Sequence, residues 1–278
     1  MKKLFSALMC VVVLISTFSF NAFASDDKIP HYDLIVSDMT ENYGISPASN
    51  DAKYLFVDLS YWNSSINWKV LSENIDGVIL RIGFRGTKSN KINTDSKFLE
   101  FYQKASEYSI PVGCYFYSFA KSTYAAKEEA NWVVRTLRDN NCKLQLPVYF
   151  DFEEQDLYDL GKVKCTKIIN AFCKRIEKCG YRAGYYTNYS FIKNVIDTDK
   201  LTEYSLWYAQ WSSSMSYTGN VDIWQYTYNG EVNGIGNAVD LNLVYADLID
   251  FNEYELTFSN RFYIFWAKLQ LFFSLNIE

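Results

Sequence analysis

Histidine is almost absent: the chain of 278 residues has one, His31, in a polar segment near its start. A histidine base or a histidine-activated nucleophile is thereby excluded, and His31 itself reads as a surface residue of a linker. Clustered basic residues are missing too. With 27 Lys and Arg against 32 Asp and Glu the formal charge is −5, and a phosphate-binding surface needs the reverse, so nucleic acid is excluded as a partner. No metal-ligand spacing of His, Cys, Asp and Glu occurs, which leaves no metal site to expect. The apolar run at the start, Leu4 to Phe20, is short for a membrane span. What remains for chemistry is the carboxylates.

Lys2 and Lys3 precede that apolar run and Ala22-Phe23-Ala24 follows it, the charged, apolar and small-residue order of a secretory signal peptide over residues 1–24. A retained anchor is the lesser reading. Cys10 stands behind Leu8-Met9, where Met replaces the small residue of a lipobox, so no lipid anchor is expected. Cleavage leaves 254 residues at a charge of −7, enough for one large domain with a sizeable core. Five cysteines then remain, Cys114, Cys142, Cys165, Cys173 and Cys179, and an odd number cannot all pair within one chain. Cys114 sits in an apolar strand pattern and reads as core. Cys165, Cys173 and Cys179 lie along one helical stretch that could include a bridge.

Strand and helix periods alternate after a linker, residues 25–51. Tyr54 to Leu59 reads as a strand, Asn67 to Asn74 as a short helix, Gly77 to Ile82 as a strand, Thr94 to Tyr108 as a helix and Pro111 to Ser118 as a strand. A helix from Thr123 to Arg138, a strand from Leu146 to Phe152 and a helix from Lys162 to Lys178, stopped by Gly180, follow. Tyr181 to Tyr186 is a strand and Tyr189 to Ile196 a short helix, after which helices cease. Leu206 to Gln210, Asp222 to Tyr226 and Ala238 to Leu241 are strands between loops rich in Ser, Asn and Gly. About eight strands, the first five with helical crossovers, predict an α/β fold whose parallel sheet closes into one barrel over residues 52–250.

Barrel enzymes carry their chemistry where strands end, and polar residues collect at these ends. Asp58 closes the first strand, Arg81 the second, Tyr115 and Tyr117 the third, Asp151 and Glu153 the fourth and Tyr186 the fifth, while Gln210, Gln225 and Asp240 end the last three. In VYFDFEE, Asp151 and Glu153 are two residues apart, so on a strand they share a face about 6.5 Å apart and point into the barrel, with Phe152 turned outward. Two carboxylates held close in a poorly hydrated mouth repel, and the one in the more apolar setting keeps its proton longer, which makes a general acid. Aromatics form 18% of the chain, with 23 Tyr and 7 Trp; beyond packing, such flat amphipathic rings suit a sugar-binding cleft.

Eight segments in order give a resemblance. FVDLSYWNSSINW (Phe56 to Trp68), VILRIGF (Val78 to Phe84), PVGCYFYS (Pro111 to Ser118), PVYFDFE (Pro147 to Glu153), AGYYTN (Ala183 to Asn188), LWYAQW (Leu206 to Trp211), DIWQYT (Asp222 to Thr227) and AVDLNLVY (Ala238 to Tyr245) resemble glycoside hydrolase family 25. These are the lysozymes, or muramidases, of the Chalaropsis type. The resemblance implies an irregular TIM-like (β/α)5(β)3 barrel, agreeing with the loss of helices after Ile196. It implies a secreted hydrolase that acts, without metal or organic cofactor, on the β-1,4 bond between N-acetylmuramic acid and N-acetylglucosamine in bacterial cell-wall peptidoglycan. Carried over, Glu153 is the catalytic acid, Asp151 lies beside it, and Asp58 and Asp240 complete the acidic floor. Tyr115, Tyr117, Tyr186, Trp207, Tyr208 and Trp224 are candidates to stack on or bond to the glycan, with Arg81, Gln210 and Gln225 as polar contacts. Asn63 departs from the pattern, since a Gln commonly follows the first Trp.

No wall-binding repeat follows Tyr245, and a monomer is expected. The tail, residues 251–278, holds FYIFWAKLQLFF (Phe262 to Phe273), interrupted by Lys268 and Gln270 and too broken to span a membrane. It reads first as a helix packed on the barrel, second as a membrane-surface or partner helix, third as a disordered or frame-damaged end. Two other functions stay open at this point: a peptidoglycan-binding protein without turnover, and a hydrolase of another N-acetylated glycan such as chitin.

Overall fold

A computed structural model of the chain describes residues 52–250. The leader with Cys10, the linker with His31 and the tail with Phe262 to Phe273 lie outside the described residues.

Nine strands and five α-helices make up the described chain. In order they are β1 (Tyr54–Leu59), α1 (Trp68–Leu71), β2 (Gly77–Arg85), β3 (Ile92–Thr94), α2 (Phe98–Glu107), β4 (Val112–Tyr117), α3 (Thr123–Asp139), β5 (Val148–Asp151), α4 (Lys162–Glu177), β6 (Ala183–Asn188), α5 (Tyr189–Asn194), β7 (Ser205–Ala209), β8 (Ile223–Gly230) and β9 (Val239–Val244). The sheet runs β1-β9-β8-β7-β6-β5-β4-β2 and closes by a parallel β1–β2 pairing, so eight strands form a ring. Five helical units followed by three bare strands are what the sequence pattern implied. Helix starts have local causes: Asn67, Ser122 and Asn188 each accept a hydrogen bond from the backbone N–H three residues on, at the caps of α1, α3 and α5.

Alternation along each strand divides the apolar residues into two layers. Phe56, Ile79, Tyr149, Tyr186, Trp207, Ile223 and Val244 fill the inside of the ring. Leu55, Val57, Leu80, Phe116, Phe150, Tyr208 and Leu243 face outward to Phe101, Val133, Ile169 and Phe172 of the helices. Phe150 stacks on Phe172 with ring centroids 4.2 Å apart. Gly184 faces inward, where a Cβ would lie 2.4 Å from a Tyr149 ring carbon, so the absent side chain is what lets that ring fill the barrel floor. Below it the chain after β9 crosses the bottom, where Leu248 plugs the ring and Arg182 bonds its carbonyl at 2.6 Å.

Three expectations are corrected. The sheet is not wholly parallel: β8 and β9 form a direct hairpin, so β9 runs antiparallel to both β8 and β1. The stretch read as a helix from Thr94 begins instead with β3, a short strand antiparallel to the end of β2, and helix α2 starts at Phe98. Asp95 holds the turn between them, accepting from the Lys97 N–H at 2.9 Å. Finally, no bridge forms among Cys165, Cys173 and Cys179; all five cysteines of the described residues are free and buried. Cys165 and Cys173, eight residues apart on one helix, stand about 12 Å apart, beyond a disulfide's reach of roughly 7 Å between Cα atoms. Their thiols instead lie against the carbonyls of Leu157 (3.3 Å) and Gly184 (3.4 Å).

Thiol titration should therefore find these five cysteines unreactive in the folded protein and all reactive in denaturant, with a melting temperature indifferent to reductant. A reductant-dependent melt would mean a bridge exists.

Candidate active site

The mouth of the barrel gathers the C-terminal ends of the parallel strands and the start of the reversed β9. That reversal is why Asp240 belongs there: it is the second residue of its strand, not the last, and sits in register opposite Asp58 of β1. Asp58 is buried, its Oδ2 accepting from Asn242 Nδ2 at 2.9 Å and Gln225 Nε2 at 3.0 Å. Burial nevertheless pushes its carboxyl up, against the lowering effect of these donors and of a hydrogen bond shared with Asp240. Asp240 is raised in turn by burial and by the charge of Asp58, to which it is tightly coupled.

Asp151 is the last residue of β5, between Tyr117 of β4 and Tyr186 of β6. It is held well above the usual carboxylate range by burial and then by Glu153 and Asp58, with Arg81 as the opposing cation. Its Oδ1 is buried without a hydrogen-bond partner. Phe152 turns outward against Phe191, as alternation requires. Glu153 lies just past the strand, half-buried, with its carboxyl bonded to the Asn188 side chain. Burial first, then the charges of Glu154 and Asp58, push it up to about 7, so near neutrality it still holds a proton in much of the population.

Arg81 reaches into this group from β2. Its Nε donates to Asp95 at 2.7 Å, its guanidinium lies 4.8 Å from the Tyr61 ring centroid, and its Nη2 is buried without a partner. Asp95 also accepts from the Tyr61 backbone N–H at 3.1 Å, so one buried carboxylate fixes both the arginine and the loop after β1. Asn63, the departure from the expected Gln, accepts from the Ser60 N–H at 2.8 Å and closes the turn of that loop.

Of the expected contact residues, Tyr115, Tyr117, Tyr186, Trp207 and Gln225 lie on the inner face. Tyr115 and Tyr186 pack edge-on against Trp207, with centroids 5.8 and 4.6 Å away. Trp207 is buried and donates its indole N–H to Asn242 Oδ1 at 2.7 Å, which makes it a support of the floor and leaves it no face for a ligand. The Tyr117 hydroxyl donates to Glu154. Trp224 and Tyr208 are on the other face of their strands, because Gln225 and Trp207 beside them point inward. Trp224 is fully buried and donates to the Gln210 carbonyl at 2.9 Å. Gln210 itself is tied to Tyr208 and to Ser216, so these three fasten the loop after β7.

Residues not singled out from sequence complete the site: Asn188, Asn242, Asp95, Glu154 and Trp211. Asn242 could have been found, since it is two residues from Asp240 on one strand and so shares its face. Trp62, Trp211 and Tyr228 expose 71, 57 and 59% of their surface at the rim, and Trp211 donates its indole N–H to Gln225 Oε1 at 3.1 Å. Among the described residues no group of three or more His, Cys, Asp or Glu is arranged to hold a metal ion.

Residues 57–235 match the family described as Glycosyl hydrolases family 25. The chain belongs to that family. As a member it is a glycoside hydrolase, and its barrel has counterparts among solved structures. The spore cortex lytic enzyme SleM of Clostridium perfringens is similar at TM-score 0.64 and 24% identity, over 72% of this chain and 70% of that one. The modular autolysin LytC of Streptococcus pneumoniae is similar at 0.60 and 25%, over 69% of this chain and 46% of that one. A family 25 glycosyl hydrolase of Bacillus anthracis gives 0.59 and 21%, over 72 and 92%. The uncharacterized protein YegX of Escherichia coli K12 is 24% identical over 254 residues, 87% of this chain and 90% of that protein.

Crowding acids this way costs this family 25 hydrolase stability. Carboxyls raised in the folded state contribute stability that is whole below the unfolded value, near pH 4, and is lost as pH rises through the folded value. For Glu153 that window runs from 4.5 to about 7. Thermal unfolding should therefore occur at higher temperature at pH 5 than at pH 8. Asp240→Asn should stabilise at pH 8 by on the order of 1 kcal/mol, about 2–4 °C for a domain of this size. A melting temperature lower than the parent's at pH 8 would refute that strain.

Proposed function

We propose that this glycoside hydrolase is a secreted muramidase that cuts the β-1,4 bond between N-acetylmuramic acid and N-acetylglucosamine in bacterial peptidoglycan, with Glu153 as general acid. The observation that carries the reading is the elevated carboxyl of Glu153 beside a second, deeper carboxyl on the same strand end. An acid poised near 7 can protonate a leaving glycosidic oxygen that water would not, and burial is the main reason it still holds that proton near neutrality. Asp151 then orients either the substrate acetamido group or a water, and Asp58 faces the positive charge that develops on the sugar ring. Exposed rings at the rim supply flat apolar surfaces for pyranose faces.

The choice of peptidoglycan is supported by what the similar proteins are: SleM is a spore cortex lytic enzyme, a LytC structure carries a synthetic peptidoglycan ligand, and a Streptomyces coelicolor neighbour is a bacterial lysozyme. The leader pattern of residues 1–24 fits delivery to the wall, with residues 52–250 as the catalytic unit, acting as a monomer.

Glu153→Gln should abolish release of reducing ends from purified walls, by at least about 100-fold, while sedimentation with those walls is kept. Digestion at the parental rate would end the assignment, and mass analysis of parental products should find muramic acid at the new reducing ends. Products ending in glucosamine, or turnover of chitin alone, would replace the substrate. Glu154→Gln removes a neighbouring negative charge, so Glu153 should lose its proton at lower pH. The alkaline limb of the pH–rate profile should move acidward, and an unmoved or alkaline-shifted limb would remove Glu154 from the tuning of the acid.

A further inference from the structure

Asn242 is fully buried on β9, two residues from Asp240 and on the same strand face. Its side chain makes three hydrogen bonds. Trp207 Nε1 donates to its Oδ1 at 2.7 Å, and its Nδ2 donates to Asp58 Oδ2 at 2.9 Å and to the Phe56 carbonyl at 3.3 Å. An indole nitrogen only donates, so the amide oxygen has to face Trp207, which leaves the NH2 group facing Asp58. Gln225 obeys the same logic. Its Oε1 receives the Tyr186 hydroxyl at 3.0 Å and the Trp211 indole at 3.1 Å, so its Nε2 is turned to Asp58, at 3.0 Å. Neither amide can flip without setting donor against donor.

We infer that Asn242 is a positioning residue that, together with Gln225, holds Asp58 as the anion and leaves the proton shared by Asp58 and Asp240 on Asp240. Two carboxyls in direct hydrogen bond need one proton between them. Asp58 receives two oriented N–H donors on one oxygen, and donors favour the charged form. Asp240, opposite Asp58 in the strand register, shares a hydrogen bond with it and receives no amide N–H among the described residues, so the proton is better placed there. The indole N–H groups of Trp207 and Trp211, both spent on the amides, thus act on the carboxylate through those amides.

Several other groups bear on Asp58. Asp240 faces it from β9, Asp151 and Glu153 from the end of β5, Tyr115 from β4 and Tyr186 from β6, while Arg81 of β2 supplies the cation nearest Asp151. An anionic Asp58 therefore also helps Glu153 keep its proton. The consequence for turnover rests on the proposed hydrolytic role of this cleft; the protonation pattern itself does not.

Two substitutions separate positioning from mere packing. Asn242→Leu removes the donor to Asp58 and should raise the acid limb of the pH–rate profile by about one unit, mainly in kcat with KM little changed. Asn242→Asp keeps an acceptor for Trp207 but can donate to Asp58 only when protonated, so its optimum should move acidward and activity should recover there. A residue that only packs would lower the melting temperature and move neither limb. Should Asn242→Leu fail to fold, Trp207→Phe frees the amide and should shift the acid limb in the same direction. Independently of activity, carboxyl carbon NMR on 13C-aspartate-labelled protein near pH 6 should find Asp58 ionised and Asp240 protonated, assigned with Asp240→Asn. An ionised Asp240 with a neutral Asp58, or unmoved pH limbs in both Asn242 variants, overturns the inference. Loss of the Glu153 assignment with this NMR pattern intact would instead overturn only the proposed function.

Discussion

Two carboxylates facing one another across the β1–β9 register, Asp58 and Asp240, set the terms for everything around them. Like charges at that separation cannot both persist in a buried setting, so the site has to provide donors, share a proton, or both. Asn242 and Gln225 are the donors, and each is oriented by an indole N–H that can only donate, Trp207 for Asn242 and Trp211 for Gln225. The bottom of the barrel contributes an apolar surround: Phe56, Ile79, Tyr149 and Trp207 pack as one buried cluster inside the ring. Burial moves all four carboxyls up, and for Asp151, Glu153 and Asp240 the charges of neighbouring carboxyls add to it.

The acids differ in role because their surroundings differ. Asp58 has oriented N–H donors, Asp151 has a nearby arginine, Asp240 has its twin, and Glu153 has the side chain of Asn188 with a flanking Glu154. Environments that push neighbouring carboxyls apart in proton affinity are how one cleft can hold both an acid and an anion at a single pH. Asp95 extends the arrangement outward. By fixing Arg81 and the backbone of Tyr61 with one carboxylate, it makes the aromatic loop beside the mouth and the cation inside it parts of one rigid piece.

The family's barrel is kept at identities of 21 to 25% to similar solved structures. That follows from the construction: apolar alternation and the ring of strand pairings can be met by many residues, whereas the mouth depends on a few polar ones whose partners are fixed.

Much of this was legible from sequence because it is local. The period-two and helical patterns located the eight barrel strands and the helices to within about four residues, though not β3, and β1 at Tyr54–Leu59 and the strand-end positions of Asp58 and Asp151 needed no third dimension; β6 runs two residues past Tyr186, to Asn188. The same alternation, applied residue by residue, places Tyr208 and Trp224 outside the cleft, because their neighbours Trp207 and Gln225 point in. What no local pattern encodes is direction and contact. The reversal of β9, which brings the start of a strand to the mouth, depends on a hairpin with β8 closing against β1; the turn at Asp95 depends on partners 14 and 34 residues away. Asn242 likewise meets Asp58 across 184 residues of chain. Backbone sterics and side-chain period are properties of a few consecutive residues, so the amino-acid sequence displays them directly. Proton affinity is a property of whatever the closed ring forces together, and it came into being only with the fold.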